Sequence, residues 1–452
     1  MSGRLPWDPF PSKDPDPRGP DAIHAICYRA AVAGADAYRF LRIALRREGG
    51  VLRVGNRFVS DGRYREVAFL AVGHAANAMA LAALDVFGDR LTQGFLAGPE
   101  PAPAMLPFQA VELSPGWGGA EGAGAVLEAA GEIASGLRES DLLLVLLSPG
   151  ALRGLLLPPA GMAREEFSRF LEEAHGLGAS AAEVVLLARA LGKGGVGGRL
   201  LPPTTAADVQ LLVVDRGDGP ARVGGGPLVP VTPAEQSEAR AVLDRLGIAG
   251  RLPSTALEPL RPGATARGSL PSRLRRPVLV ASPSDGLRGA SDAAFDRGWT
   301  SRLASLELRE PPEEAADRLL ERSETLFGEA RSGPAGGTKG FATFAMATLD
   351  LPEGVDDTPF CRAFLERARA GLRRREMSVG LFRTAGPPRI PVDTKDPGDP
   401  GGWVVGAPSN PEATSVTPES LRPISMRAGF TDVGFLAMAV WRPPGAGPKT
   451  RG

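Results

Sequence analysis

Two aspartates near the end of a mostly apolar run are candidate metal ligands. Asp215 directly follows residues 209–214, and Asp218 lies in the turn after it. Carboxylate oxygens are ligands that Mg²⁺ prefers, and ligands of open α/β sheets gather at the carboxyl ends of the strands. The pair could therefore hold a metal ion, although an ordinary polar turn has the same composition.

A histidine and a basic loop could bind anionic groups. His74 follows an apolar run and a glycine, where an imidazole could contact an anion or act as a general base. A turn residue or a helix cap is the alternative role. Lys193 and Arg199 lie in a glycine-rich segment, and their charges could bind a carboxylate or phosphate. A solvated flexible loop is the alternative there.

The elements that must position these residues are predicted by continuous apolar runs. Residues 67–72 end at Gly73 and lead into a helical stretch over 75–87, and residues 142–147 end in Ser148, Pro149 and Gly150. Such runs are typical of parallel strands covered on both faces. The first half therefore predicts a Rossmann-like, doubly wound α/β sheet.

Helical spacing predicts a helix or helix pair over residues 21–47 and another helix from Pro233 to Leu246. The second of these has Thr232 as its N-cap, Pro233 at its first position and Glu235 completing a capping box.

The length of 452 residues predicts two domains, because single cores stop growing at about 250–300 residues. Proline, arginine and glycine repeat over 251–277 and predict a connection. Beyond it we expect strands over 278–281 and 341–349, and helices over 284–297, 312–327 and 359–374. The predicted division is a disordered leader (1–19), a Rossmann-like domain (20–252), a linker (253–277), a smaller α/β domain (278–441) and a disordered tail (442–452).

The balance of charge argues against a polyanionic partner. Lys plus Arg and Asp plus Glu both number 52, so no overall field would attract the chain to nucleic acid or to an anionic membrane.

Cys27 and Cys361 lack metal-ligand spacing and predict neither a disulfide framework nor a zinc site. The start of the sequence lacks a signal-peptide pattern, so we expect a cytoplasmic protein.

Taken together, segments across residues 20–441 resemble the glycerate 2-kinase family. The run from Val67 to Ala80 resembles the family's first strand, turn and helix, with His74 at the position of its lysine. Residues 140–150 resemble the strand that enters its serine and triple-glycine loop, and Pro149 removes one amide donor there.

The later motifs match in part. Gly197, Gly198 and Arg199 resemble the end of the family's basic helix, with Val196 at the lysine and Lys193 displaced from it. Residues 211–227 resemble its aspartate strand end and turns, in which Asp215, Asp218, Gly226 and Pro227 match.

The resemblance implies a large kinase-type domain followed by a MOFRL-type domain, and transfer of the γ-phosphoryl group of ATP to the 2-hydroxyl of D-glycerate in the interdomain cleft. It implies catalytic roles for His74 and Arg199, metal ligation by Asp215 and Asp218, and use of ATP and Mg²⁺. The implied substrate- and nucleotide-binding residues are Gly73, Ser148, Gly150, Lys193, Gly197, Gly198 and Gly226.

The replaced positions leave a second interpretation open. Phosphoryl transfer depends on cations and amide donors around the transferred group, and each lost contact can lower the rate by about 10²–10³. A catalytically silent paralogue that serves as a ligand-binding or regulatory protein is therefore the alternative, with an altered transferase for another small acid as a third. In each case we expect a small-molecule ligand, no nucleic acid and no membrane, with the oligomeric state open, a homodimer included.

Overall fold

The structure is a computed structural model. It describes residues 22–99, 101–104, 106–113, 120–215, 219, 223–261, 268, 270–308, 310–332, 340–349, 358–372, 377–383, 400–405, 421–425 and 435–441. The predicted leader (1–19) and tail (442–452) lie outside these residues.

Strands and helices alternate along much of the chain. The strands are β1 (Arg47–Glu48), β2 (Val51–Val54), β3 (Arg57–Ser60), β4 (Val67–Val72), β5 (Leu91–Gly98), β6 (Gln109–Glu112), β7 (Leu142–Leu147), β8 (Leu156–Leu157), β9 (Lys193–Gly194), β10 (Asp208–Val214), β11 (Val278–Ala281), β12 (Thr300–Leu308), β13 (Phe341–Leu349), β14 (Met377–Arg383), β15 (Pro400–Val405), β16 (Leu421–Ser425) and β17 (Phe435–Trp441). The helices are α1 (Ala22–Gly34), α2 (Ala37–Ala44), α3 (Ala76–Phe87), α4 (Ala120–Gly136), α5 (Ala151–Leu155), α6 (Arg164–Gly176), α7 (Ala181–Leu191), α8 (Pro233–Leu246), α9 (Ser254–Leu257), α10 (Pro283–Phe295), α11 (Pro312–Ser332) and α12 (Thr358–Leu372).

These elements form two compact units. The first unit contains the described residues of Ala37–Ala281. The second unit contains those of Met1–Asp36, Ser282–Leu349 and Asp356–Gly452. Each unit has its own six-stranded sheet, so the chain is a two-domain α/β protein, as the sequence predicts.

The sheet of the first unit has the order β11-β10-β7-β4-β5-β6, and its neighbouring strands are parallel. From β4 the chain builds outward on one side through β5 and β6, and on the other through β7, β10 and β11. This is the order of a doubly wound sheet. Every residue of β4, β7 and β10 is buried, which explains their nearly continuous apolar sequences.

Helix α8 begins as its sequence predicts. Thr232 caps it by accepting a hydrogen bond from the Glu235 amide, the Glu235 carboxylate accepts one from the Thr232 amide, and Pro233 is the first helical residue. Glu235 also accepts a hydrogen bond from the buried guanidinium of Arg189 at 2.6 Å. The capping box therefore also joins α8 to α7.

The sheet of the second unit has the order β12-β13-β17-β14-β15-β16. Strands β12 and β13 are parallel, and the other neighbours are antiparallel. Helices α11 and α12 share an apolar core with this sheet that includes Phe341, Phe360 and Phe364. The predicted strand over 341–349 and the three predicted helices of this half are confirmed as β13, α10, α11 and α12.

Two segments lie in a different unit from the predicted one. Strand β11, expected in the second domain, pairs with β10 in register Leu212 to Val278 and so completes the first sheet. Helix α1, expected in the first domain, packs on α10 of the second unit. Gly289 allows this approach, because a Cβ atom there would lie 2.3 Å from the Ala30 carbonyl oxygen.

Among the described residues, no helix combines the length and the apolar character that crossing a membrane requires.

Candidate functional site

The first sheet reverses its winding direction between β4 and β7. In a doubly wound sheet the crevice beyond the carboxyl ends of two such strands is where ligands bind. Val72, Leu147 and Val213 lie side by side in the register of β4, β7 and β10. The residues that follow them therefore share one edge of the sheet. We call residues 73–75 and 148–150 the switch-point turns.

Backbone and hydroxyl hydrogen bonds join the two switch-point turns. The His74 amide donates to the Pro149 carbonyl at 2.8 Å. The Ala75 amide donates to Ser148 Oγ at 2.9 Å, and Ser148 is 0% exposed. Ser148 thus fixes the turn between β4 and α3. Its hydroxyl oxygen accepts a hydrogen bond from the Ala75 amide, and the resemblance implies substrate or nucleotide binding for the same residue.

Two glycines let the switch-point turns approach each other. Gly73 has a φ of +116°, and a Cβ atom there would lie 2.4 Å from the Ser148 carbonyl oxygen. Gly150 has a φ of +92°, and its Cβ position is 2.8 Å from His74 Nε2. The half-buried imidazole of His74 is therefore held against Gly150 in the crevice.

Asp215 lies at the same edge, one strand further along. Its amide donates to the Ala281 carbonyl at 3.1 Å, and its Oδ2 accepts the Gly219 amide at 2.6 Å. It is 4% exposed. Neighbouring strands are about 4.8 Å apart, so Asp215 is separated from the β4 turn by about 10 Å.

The structure describes only one of the two predicted Mg²⁺ ligands, so the predicted metal site stays a prediction. Asp218, the second predicted ligand, lies outside the described residues, and one oxygen of Asp215 accepts the Gly219 amide. Within the described ranges no three or more His, Cys, Asp or Glu side chains are grouped so that they could hold a metal ion.

The glycine-rich segment before Leu200 pairs with a second glycine segment. The Gly197 amide donates to the Gly225 carbonyl and the Gly198 amide donates to the Gly226 carbonyl, each at 2.9 Å. These two amides are therefore bonded within the protein, and the substrate or nucleotide binding that the resemblance implies for the two glycines stays a prediction.

The predicted basic residues lie near the end of α7. Arg199 Nη2 donates to the carbonyls of Arg189 at 3.1 Å and Gly192 at 2.8 Å. These contacts stabilise the carboxyl end of the helix, and the catalytic role that the resemblance implies for Arg199 stays a prediction. Lys193 is exposed in β9, opposite Leu157 of β8.

The structure thus brings some of the predicted residues together and separates others. Gly73, His74, Ser148 and Gly150 form the switch-point turns. The 223–225 segment packs on α5, the helix that follows Gly150. Gly197 and Gly198 pair with Gly225 and Gly226, at and just after that segment. Lys193 and Arg199 lie with them, at the end of α7.

Arg189 is a residue that sequence reasoning missed. It is buried, and its guanidinium contacts Glu235 together with the Val229 and Pro230 carbonyls. An arginine within the apolar stretch 184–191 was the available signal, because a buried charge requires partners.

Comparison with known proteins places the chain in a family. The model of the domain of unknown function DUF4147 matches residues 24–261. A glycerate kinase of Danio rerio is 29% identical over 294 residues, which are 60% of this chain and 58% of that protein. The chain thus spans somewhat more than half the length of this curated relative.

Solved structures share the fold. A protein from Pyrococcus horikoshii has a TM-score of 0.64 at 18% identity, covering 93% of this chain and 98% of that chain. A glycerate kinase from Thermotoga maritima has a TM-score of 0.63 at 19% identity, with the same coverage of 93% and 98%. The chain therefore belongs to the family of the DUF4147 domain, the glycerate kinase family.

Proposed function

We propose that this chain is a glycerate kinase family protein that binds a small acid at the switch-point turns and does not transfer a phosphoryl group at the rate of a kinase. Its role is that of a ligand-binding or regulatory protein. The first unit supplies the ligand site, because its sheet presents His74 and two glycine turns at the reversal of winding.

This proposal rests on one observation: hydrogen-bond donors of the glycine-rich segment already donate to carbonyls of the protein. A transferred phosphoryl group needs fixed cations and amide N–H groups directed at its oxygens. Here the Gly197 and Gly198 amides donate to protein carbonyls, and so does Arg199 Nη2. Presenting these groups to ATP would break hydrogen bonds that the fold already makes.

The switch-point turns support the same conclusion. Pro149 has no amide hydrogen, and its carbonyl accepts the His74 amide. An imidazole at position 74 can donate a hydrogen bond to a carboxylate, but it lacks the permanent charge of the lysine found at this position in the family. A small acid suits such a site better than a triphosphate does.

An active kinase is the second candidate, and the likeness to the Danio rerio protein named glycerate kinase favours it. Under this alternative the chain would phosphorylate the 2-hydroxyl of D-glycerate with ATP and Mg²⁺. His74 would act as general base or contact the anion, and Asp215 would contribute to the metal site.

Purified full-length protein tests the two candidates directly. ADP formation from ATP is measured with Mg²⁺ and D-glycerate, and Tm is measured with D-glycerate, ATP or ADP. We expect no ADP above background and a higher Tm with D-glycerate. ADP formation at an ordinary kinase rate would contradict the silent role, and an unchanged Tm with every ligand would contradict binding of these ligands.

A pair of histidine variants locates the ligand. His74→Ala should abolish the Tm increase caused by D-glycerate, because it removes the side chain in the crevice. His175→Ala serves as the matched control, since His175 lies in α6 and contacts the Ala179 carbonyl. A Tm increase that persists in His74→Ala would place the acid elsewhere, and equal loss in both variants would show that the effect is not specific to His74.

A further inference from the structure

The amino-terminal edge of the first sheet, opposite the switch-point turns, carries a buried carboxylate. Asp208 begins β10 and is 0% exposed. Its oxygens accept hydrogen bonds from Arg275 Nη2 at 2.6 Å, Arg273 Nε at 2.9 Å and Tyr64 Oη at 3.0 Å. These three donors satisfy the charge of a single carboxylate.

Two further arginines lie around the same carboxylate. Arg57 Nη1 is 3.7 Å and Arg63 Nη2 is 4.0 Å from Asp208 Oδ2, which is beyond hydrogen-bond distance. Their side chains are 36% and 42% exposed. In the described part of the chain, the one other carboxylate paired with these arginines is the exposed Glu139, 3.2 Å from Arg273 Nη1. Arginines therefore outnumber carboxylates in the cluster.

The cluster is assembled from separate segments and held by backbone bonds. Arg57 lies on β3 and Arg63 in the short turn after it. The Arg275 amide donates to the Val209 carbonyl at 2.8 Å, and the Val209 amide donates to the Arg273 carbonyl at 3.2 Å. These bonds keep both arginines beside the start of β10.

One donor of the cluster has no acceptor among the described residues. Arg275 Nε is buried and makes no hydrogen bond there. Buried polar groups nearly always have a partner in folded proteins, so an unsatisfied one calls for an explanation. An anion held by the arginines would add an acceptor to the cluster.

We propose that the cluster of Arg57, Arg63, Arg273 and Arg275 around Asp208 binds a small polyvalent phosphate, namely a di- or triphosphate chain. Guanidinium groups bind phosphate oxygens through paired hydrogen bonds. Asp208 orients the inner two arginines, and the side chains of the outer two are partly exposed, so a phosphate chain in solvent can reach them. A compact group of arginines around one point suits a short chain better than a long polymer. This site is independent of the proposed function.

The full-length protein is tested with tripolyphosphate, ATP, AMP and a single-stranded RNA oligonucleotide, by calorimetric titration at low ionic strength. We expect tripolyphosphate to bind with a Kd that rises at least about tenfold in Arg57→Gln/Arg63→Gln. Arg240→Gln/Arg251→Gln removes the same charge from surface residues that pair elsewhere, and it should bind as the unaltered protein does. Both variants should retain the circular dichroism spectrum and Tm of the unaltered protein.

Comparison of the four ligands identifies the source of the phosphate. Equal affinity for ATP and tripolyphosphate with none for AMP means that the phosphate chain alone is recognised. Tighter binding of ATP means that a nucleotide supplies the chain. Binding of RNA without tripolyphosphate, no binding of tripolyphosphate, or equal weakening in both double variants would each overturn the proposal.

Discussion

The hydroxyl of Ser148 shows how a residue suited to ligand contact can serve the fold. It is fully buried and accepts the Ala75 amide at 2.9 Å. A serine after a parallel strand suggests phosphate contact when only its sequence is known. The direction of its hydrogen bond depends on the neighbouring strand, which the local sequence does not specify.

Replacement of Gly73 by alanine should destabilise the first unit. The new Cβ atom would lie 2.4 Å from the Ser148 carbonyl oxygen and 2.5 Å from Ser148 Oγ, at a φ of +116°. We expect a loss of about 2–4 kcal/mol in the free energy of unfolding, from backbone strain and from overpacking. Urea denaturation followed by circular dichroism measures it.

Gly131→Ala provides the control for that substitution. Gly131 lies within α4, and a Cβ atom there meets nothing within 4 Å. Alanine should stabilise the helix by about 0.5–1 kcal/mol. A loss of stability at position 131 equal to that at position 73 would contradict the close approach of the switch-point turns.

At the scale of elements, the glycine segments gain a role in packing. Gly197 and Gly198 donate to the carbonyls of Gly225 and Gly226, and the second segment packs on α5. A sequence rich in glycine is compatible with a phosphate loop and with close backbone contact. Only the partner segment distinguishes the two.

Approach of α1 to α10 depends on Gly289. A Cβ atom at this position would lie 2.3 Å from the Ala30 carbonyl oxygen. Gly289→Ala should therefore separate the helices and lower the free energy of unfolding of the second unit by about 1–3 kcal/mol. Thermal denaturation followed by calorimetry measures the change.

The matched variant is Gly328→Ala in α11, where nothing lies within 4 Å of a Cβ atom. It should be neutral or stabilising, because alanine favours a helix interior. If Gly289→Ala were equally harmless, the described packing of α1 on α10 would be wrong.

Elements with a strong local signal could be predicted from the sequence. The bounds of β4 and β7 match the apolar runs, and the capping box places the start of α8. The sheet to which β11 belongs could not be predicted, because pairing with β10 involves residues more than sixty positions away. Strand β12 was also missed, since its alternating pattern lies next to a predicted helix and has mostly half-buried residues.

The same limit applies to the candidate site. The position of His74 at the end of β4 follows from the local pattern, and the structure places it there. The contacts of Arg199 with the carbonyls of Arg189 and Gly192 required knowledge of how the chain turns after α7. Tertiary contacts, rather than the spacing of residues in the sequence, decide whether an arginine binds a ligand or the last carbonyls of a helix.

For the whole molecule, stability should fall in acid. Burial opposes ionisation of Asp208, but hydrogen bonds from Arg275, Tyr64 and Arg273 outweigh it and lower the pKa of this carboxyl. Burial also opposes ionisation of Glu235, but the hydrogen bond from the Thr232 amide and the charge of Arg189 outweigh it and lower the pKa of this carboxyl. A lowered pKa contributes stability above the unfolded pKa, which is lost as pH falls through the folded one.

Glu235→Gln tests this dependence on pH. The variant should lose about 1–2 kcal/mol in the free energy of unfolding at pH 7, because a charge-assisted bond becomes a neutral one. Its stability should then fall less steeply than that of the unaltered protein between about pH 5 and pH 3. Glu238→Gln, at an exposed position on the same helix, should follow the unaltered protein, and a parallel fall in all three would contradict the assignment.

The central claim is that the donors of the glycine segment are engaged within the protein instead of being offered to a phosphate. Hydrogen–deuterium exchange of the Gly197 and Gly198 amides tests it most directly, measured with and without saturating ATP and Mg²⁺. Because both amides donate to carbonyls at 2.9 Å, we predict slow exchange without nucleotide and no further slowing when nucleotide is added. Rapid exchange that ATP suppresses would contradict the claim, since it would show that the amides are open to solvent until a phosphate binds them.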